Sequence, residues 1–119
     1  MADTVVEKLM HANLLEVFGE RDPAKRRDAM ARTYTEDVVA ADPEGQVGGY
    51  DELDAKVQEI LDGAPGFVFR AEGSVYTAGD LHYLGWALGP EGAEPIARGA
   101  DAVFVRDGRI SHVYTFLFA

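Results

Sequence analysis

Everything from Phe67 onward reads as strand, and that narrows the architectures open to the chain. FVFRAEGSVYT, DLHYLGWALG, ARGADAVFVR and RISHVYTFLF are rich in β-branched and aromatic residues and are divided by turn residues. Gly89-Pro90-Glu91-Gly92 marks one hairpin, and Asp107-Gly108 is the two-residue turn that joins the last two runs. Strands connected this tightly run antiparallel. The last run constrains more than the others. Its two faces, Val113, Thr115 and Leu117 against Tyr114, Phe116 and Phe118, are both largely apolar, whereas a one-sided strand alternates with polar residues. One face is therefore expected under helices, and the other, convex face against a second copy of the chain in a homodimer.

Ahead of the strands the period is helical. Val5, Val6, Leu9, Met10, Leu14, Val17 and Phe18 recur at spacings of three and four over residues 4 to 18, opened by Asp3 or Thr4 as a cap. Asp22-Pro23 supplies a second cap with proline at the first helical position, and this helix carries Met30 and ends near Tyr34. Residues 37 to 42 read as a strand. Asp51 begins a third helix with Leu53, Val57, Ile60 and Leu61 as its buried stripe, stopped at Gly63. Helices first and antiparallel strands after imply an α+β fold, with three N-terminal helices on one face of a curved, mainly antiparallel sheet. A chain of 119 residues, 47% apolar and 27% charged, suits one compact domain over residues 1 to 119.

Charge removes several classes of partner. With 21 acidic against 11 basic residues the net charge is -10, which repels phosphate backbones and anionic bilayers, so neither nucleic acid nor membrane is expected. The absence of cysteine excludes disulfides and thiolate metal sites. No basic segment leads into a long apolar run at the start, so the expected location is the cytoplasm. No pair of histidines has metal-ligand spacing, and no glycine-rich loop follows a strand as phosphate binding requires. Neither metal nor nucleotide cofactor is expected. GQVGG, residues 45 to 49, reads as a flexible turn before the third helix.

Two aspartates stand out. Asp42 ends the strand of VVAADPEGQVGGYDELDAK, where Asp-Pro-Glu-Gly suits a type I turn. It shares alternation with Val38 and Ala40, so its carboxylate can also look into a cavity. Asp101 lies inside GADAVFV, on one face with Val103 and Val105, where an ionised carboxylate loses hydration. It is either a structural carboxylate, paired with Arg98 or capped by hydroxyls, or left unpaired on an apolar wall, where desolvation raises its pKa. His82, Leu84, Trp86 and Leu88 share one strand face. Trp86 is core or ligand platform, and His82 is a satisfied wall histidine or a second acid or base. His112 is expected outward or at an interface, and His11 on a helix flank.

The helix and strand order, with YTEDVVAADPEGQVGGYDEL, GADAVFVRDGRI and the closing DGRISHVYTFLF, resembles the nuclear transport factor 2-like superfamily. More narrowly it resembles the SnoaL-like polyketide cyclases and ketosteroid isomerases. That resemblance implies a cone-shaped α+β barrel around an apolar pocket for a small apolar ligand. In the steroid isomerase branch an aspartate followed by proline is the general base, which falls on Asp42. A second, neutral aspartate donates to the developing oxyanion and falls on Asp101. The donor tyrosine of the first helix falls on Leu14 or Leu15, which have no donor. A supporting tyrosine falls on Tyr34, its partner near Val57. Tyr34, His82, Trp86, Val103, Val113 and Thr115 are the pocket residues implied.

The expected function is cofactor-independent isomerisation or aldol-type cyclisation of an apolar carbonyl compound, with Asp42 as base and Asp101 as oxyanion donor. The alternative is a binding or dimerisation module without chemistry. A limonene epoxide hydrolase-like reaction ranks below both. That branch has its arginine two residues before the first aspartate, here three (Arg98, Asp101), and Thr115 stands where its second aspartate would be.

Overall fold

A computed structural model describes residues 3–118. Helix α1 (Thr4–His11) starts where Asp3 accepts a hydrogen bond from the Val6 N–H at 2.9 Å, and it runs without a break into a π-helical segment, Ala12–Phe18. Helix α2 (Pro23–Thr33) is capped by Asp22, and strand β1 (Tyr34–Asp42) follows it directly. The helix thus ends one residue before Tyr34, and the strand begins earlier than the apolar run suggested. Gly45–Gly48 is not a flexible turn. It is strand β2, pairing antiparallel with β1, and α3 (Gly49–Asp62) leaves it at once. Two central glycine-flanked residues carry too little side-chain pattern to announce a strand; backbone pairing makes it one.

Strands β3 (Phe67–Ala78), β4 (Leu81–Pro90), β5 (Ala97–Arg106) and β6 (Arg109–Leu117) complete a six-stranded sheet in the order β2-β1-β6-β5-β4-β3. All neighbours are antiparallel except β1 and β6. At the last hairpin Asp107 and Gly108 both take positive φ, 54° and 77°, as a type I′ turn needs. Register shifts between Glu72 and Tyr76 and between Phe104 and Val105 mark bulges, which bend strands and give the sheet its curl.

The helices fill the concave side. Met10, Val17, Met30, Tyr34, Leu53, Val57, Val103 and Ile110 are buried there in one core. Burying each large apolar side chain contributes about 1.5–3 kcal/mol. Two arginines tie the helices together. The buried Arg26 reaches Asp54 at 2.6 Å, Gln58 at 2.7 Å and the Glu20 carbonyl at 2.8 Å, joining α2 to α3. Arg21 donates to the carbonyls of Leu61, Ala64 and Phe67, covering acceptors that the end of α3 leaves open. On the convex side Tyr76, Tyr83, Ala102 and Tyr114 lie in one cross-strand row, and the neighbouring Phe104 and His112 pack edge to face. No helix among the described residues is long and apolar enough to cross a membrane.

Candidate active site

Strand register sets the heart of the site. Asp101 on β5 lies beside Leu84 on β4 and Thr115 on β6, and the next row on the same face holds Ala71, Trp86, Gly99 and Leu117. Thr115 is therefore directly opposite Asp101 and Trp86 is diagonal to it, both within side-chain reach. The Thr115 hydroxyl donates to Asp101 Oδ1 at 2.8 Å and Trp86 Nε1 donates to the same oxygen at 3.3 Å. Gly99 makes room for the indole. A Cβ there would fall 2.4 Å from Trp86 Cζ2 and 2.1 Å from the Phe116 carbonyl oxygen. Phe69 holds the other side of Trp86 edge to face, with ring centroids 5.6 Å apart.

The third donor comes from the π-helical segment. Asn13 Nδ2 donates to Asp101 Oδ2 at 2.9 Å, and Asn13 Oδ1 in turn accepts from the Tyr34 hydroxyl at 2.5 Å. Both residues are buried. Widened π-turns recur at functional sites. Sequence reasoning passed over Asn13, although a signal was there: it sits four residues after Leu9 and four before Val17, a polar side chain in the middle of an apolar stripe. Such a residue needs a buried partner. Burial holds the Tyr34 hydroxyl well above its ordinary pKa, with the Asp101 charge adding to the effect, so it remains a donor.

Asp101 is 5% exposed. Burial pushes its carboxyl up from 3.8 to about 6, against the opposite pull of the hydrogen bonds from Thr115, Trp86 and Asn13. Three donors on four acceptor positions leave one position open, on Oδ2. Arg98, the partner that local sequence offered, is on the opposite face and binds Glu72 at 2.9 Å.

Asp101, Trp86 and Thr115 form part of the wall of a cavity of about 480 Å³, within the usual range for small-molecule sites. Leu14 and Phe18 from the π-helical segment, Leu53 and Ile60 from α3, and Phe69, Leu88 and Leu117 from the sheet make the rest of the wall apolar. Asp42, Glu44, Gln46 and Lys56 supply its polar groups. Asp42 and Asp101 therefore open on one cavity.

Their situations differ. Asp42 Oδ1 accepts the backbone N–H groups of Glu44 at 2.8 Å and Gly45 at 3.2 Å, the turn role read from Asp-Pro-Glu-Gly, while Oδ2 lies 3.3 Å from Lys56 Nζ. Lys56 also binds Glu44, and that bond first, with Asp42 second, holds its ammonium above its ordinary pKa.

The other expected pocket residues lie off the cavity wall. Tyr34 reaches it only through Asn13. Val103 and Val113 are fully buried in the core, and His82 is buried with Nδ1 at 2.8 Å from the Thr77 hydroxyl. These residues do share the concave face with Asp101, Trp86 and Thr115. Alternation assigns a face, but not how far along it the helices fill the space, and α1 packs over the β3–β4 end. His112 is on the convex face, stacked on Tyr114. Among the described residues no three His, Cys, Asp or Glu side chains cluster to hold a metal ion.

Residues 12–113 match the SnoaL-like domain family. A protein of Agrobacterium tumefaciens strain C58, provisionally named an isomerase of the SnoaL-like family, superposes with a TM-score of 0.88 at 24% identity, over 98% of this chain and 100% of that one. A protein of Kribbella flavida provisionally named a ketosteroid isomerase has a TM-score of 0.71 at 17% identity, over 97% of this chain and 78% of its own. One of Sinorhizobium meliloti provisionally named a polyketide cyclase gives 0.68 at 16% identity, over 96% and 94%. At these identities the likeness shows the fold. No curated protein matches in sequence.

Proposed function

The chain belongs to the SnoaL-like domain family of the nuclear transport factor 2-like superfamily, and from that premise we propose that it is a small cofactor-independent enzyme that moves a proton on an apolar carbonyl compound, Asp101 taking the proton and returning it. The observation that carries this reading is a buried carboxylate on the wall of an apolar cavity, held by three donors with one acceptor position open. A carboxyl titrating at about 6 is roughly ten-to-one ionised at neutral pH, yet its conjugate acid is close enough in energy to form and give the proton back.

This allocation moves the base expected at Asp42 to Asp101. Asp42 has both oxygens engaged by turn amides and Lys56, so accepting a proton there competes with the contacts that close the β1–β2 turn. Asp101 at neutral pH is mainly an acceptor rather than the neutral donor expected. Isomerisation of a β,γ-unsaturated cyclohexenone, followed by the absorbance of the conjugated product, tests the reading. Turnover that disappears in Asp101→Asn supports it, and no turnover with this or related enones counts against it.

Binding without chemistry is the second reading, favoured by Leu14 at the cavity wall where a hydroxyl donor would assist an enolate. Saturable ligand binding with no proton exchange distinguishes it. A homodimer through the convex face belongs with either reading: Tyr76, Leu81, Tyr83 and Phe116 are exposed there, 64, 37, 37 and 53% respectively. Sedimentation velocity at micromolar concentration gives a dimer on this view, and a monomer removes it.

A further inference from the structure

Two features of the cavity, its charge and its missing donor, point the same way. Among the residues lining it the charged ones are Asp42, Glu44, Asp101 and Lys56, and the single cation is already bound to the first two. A carboxylate or phosphate entering this space meets no unpaired positive group and faces a net negative wall. In addition, the first helix puts Leu14 on the wall, so no hydroxyl from it can meet a developing enolate oxygen. The apolar remainder of the wall strengthens both effects, because charges interact more strongly where water is excluded.

We propose that the cavity selects apolar ligands carrying a positive charge, an ammonium or an iminium, and rejects apolar anions, so that the substrate itself supplies the cation the wall lacks. This rests on the proton-transfer reading for its chemistry but not for its binding test. The chemistry balances simply. Asp101 takes a proton from the carbon next to an iminium carbon, the C–H electron pair forms the new C=C bond, and the C=N pair returns to nitrogen. A carboxylate and an iminium become a carboxylic acid and a neutral enamine. Annihilating a charge pair is favoured in a dry cavity and needs no oxyanion donor. Where the iminium is β,γ-unsaturated the enamine is a dienamine, and return of the proton to its γ-carbon re-forms the C=N bond as a conjugated iminium, which completes an isomerisation.

The groups around Asp101 define the pH dependence of binding. Asn13, Trp86 and Thr115 contact it and do not titrate in the accessible range, and Tyr34 stands behind Asn13 as a hydroxyl. Asp42, Glu44 and Lys56 supply the other charges of the cavity, and His82, on the same sheet face, is bonded to Thr77 off the cavity wall.

The test uses three probes of nearly equal size: α-naphthylmethylamine, α-naphthalenemethanol and α-naphthoate. Trp86, the one tryptophan of the chain, gives a single indole N–H signal from the cavity wall, and its shift in two-dimensional NMR reports occupancy. At about pH 8 the amine is expected to bind at least about tenfold more tightly than the alcohol, with naphthoate weakest, a difference that corresponds to about 1.4 kcal/mol. The amine's advantage should shrink at about pH 5 in the wild type, and in Asp101→Asn it should be small already at about pH 8 and change little at about pH 5, which separates Asp101 from His82. Naphthoate binding as well as the alcohol, or an amine with no advantage, overturns the proposal. Cation preference without enone turnover leaves the proposal standing and removes the proton-transfer reading; turnover without cation preference does the reverse.

Discussion

Replacing Asn13 with leucine isolates the donor that sequence reasoning missed. The side chain is buried, branched like leucine with the same number of heavy atoms, and joined to two partners, Asp101 Oδ2 at 2.9 Å and the Tyr34 hydroxyl at 2.5 Å. Losing a hydrogen bond to a charged acceptor costs about 1.5–3 kcal/mol, and each pKa unit corresponds to about 1.36 kcal/mol. The ionised form of Asp101 should therefore lose one to two units of stabilisation, moving its midpoint from about 6 to roughly 7–8. Carboxyl-carbon NMR across a pH titration reads this directly. Protein stability should fall as well, by about 1–3 kcal/mol, because the Tyr34 hydroxyl is left buried without an acceptor. Tyr34→Phe, which touches Asp101 nowhere, should raise the midpoint in the same direction by a smaller amount, since the amide is no longer held with its N–H toward the carboxylate. An Asp101 midpoint that stays put or falls in Asn13→Leu would refute the reasoning that Asn13 stabilises the charge.

Three further outcomes rest on buried groups. Asp101 has a folded pKa raised above its unfolded value of about 3.8, so its contribution to stability is complete below about pH 4 and is lost as pH rises through 6. The unfolding free energy of Asp101→Asn minus that of wild type should increase by about 2.4 kcal/mol between about pH 4 and pH 7, measured by urea denaturation; a flat or falling difference contradicts the burial. Gly99→Ala puts a methyl group 2.1 Å from the Phe116 carbonyl and 2.4 Å from the Trp86 ring, so it should destabilise by about 1–3 kcal/mol and shift the indole N–H signal as the bond to Asp101 breaks. Arg26→Met leaves Asp54 and Gln58 without their shared partner, and because Asp54 is 27% exposed the cost should sit near the low end for a broken buried pair, about 3 kcal/mol by denaturant midpoint.

Most of the scaffold was legible because its signals are local. The Asp22-Pro23 cap, the Asp107-Gly108 turn and strand alternation each depend on residues next to one another, and the structure keeps all three. β2 was missed because GQVG has little side-chain pattern and becomes a strand through pairing with β1. The π-helical segment was invisible for a different reason: Leu9, Asn13 and Val17 keep ordinary helical spacing, so the stripe looks the same whichever way the backbone winds.

The site was legible in part. Alternation grouped Trp86 with His82 and Asp101 with Val103, the family resemblance turned those faces and Thr115 toward a pocket, and turn chemistry placed Asp42. The fact that Trp86 reaches Asp101 depends on Gly99 across the strand, and a string does not show which glycine faces which ring. Nor does it show where the core ends and the cavity begins, which is why Val103, Val113 and His82 were placed on the cavity wall with their neighbours.

The central claim is that Asp101 takes and returns a carbon-bound proton, and deuterium wash-in from D2O into the α-positions of β-tetralone, followed by proton NMR, tests it most directly. The account predicts protein-catalysed exchange whose rate rises with pH to a plateau with a midpoint at about 6, and which is lost in Asp101→Asn. Exchange that survives Asp101→Asn and is lost in Asp42→Asn would contradict it and return the base to the β1–β2 turn.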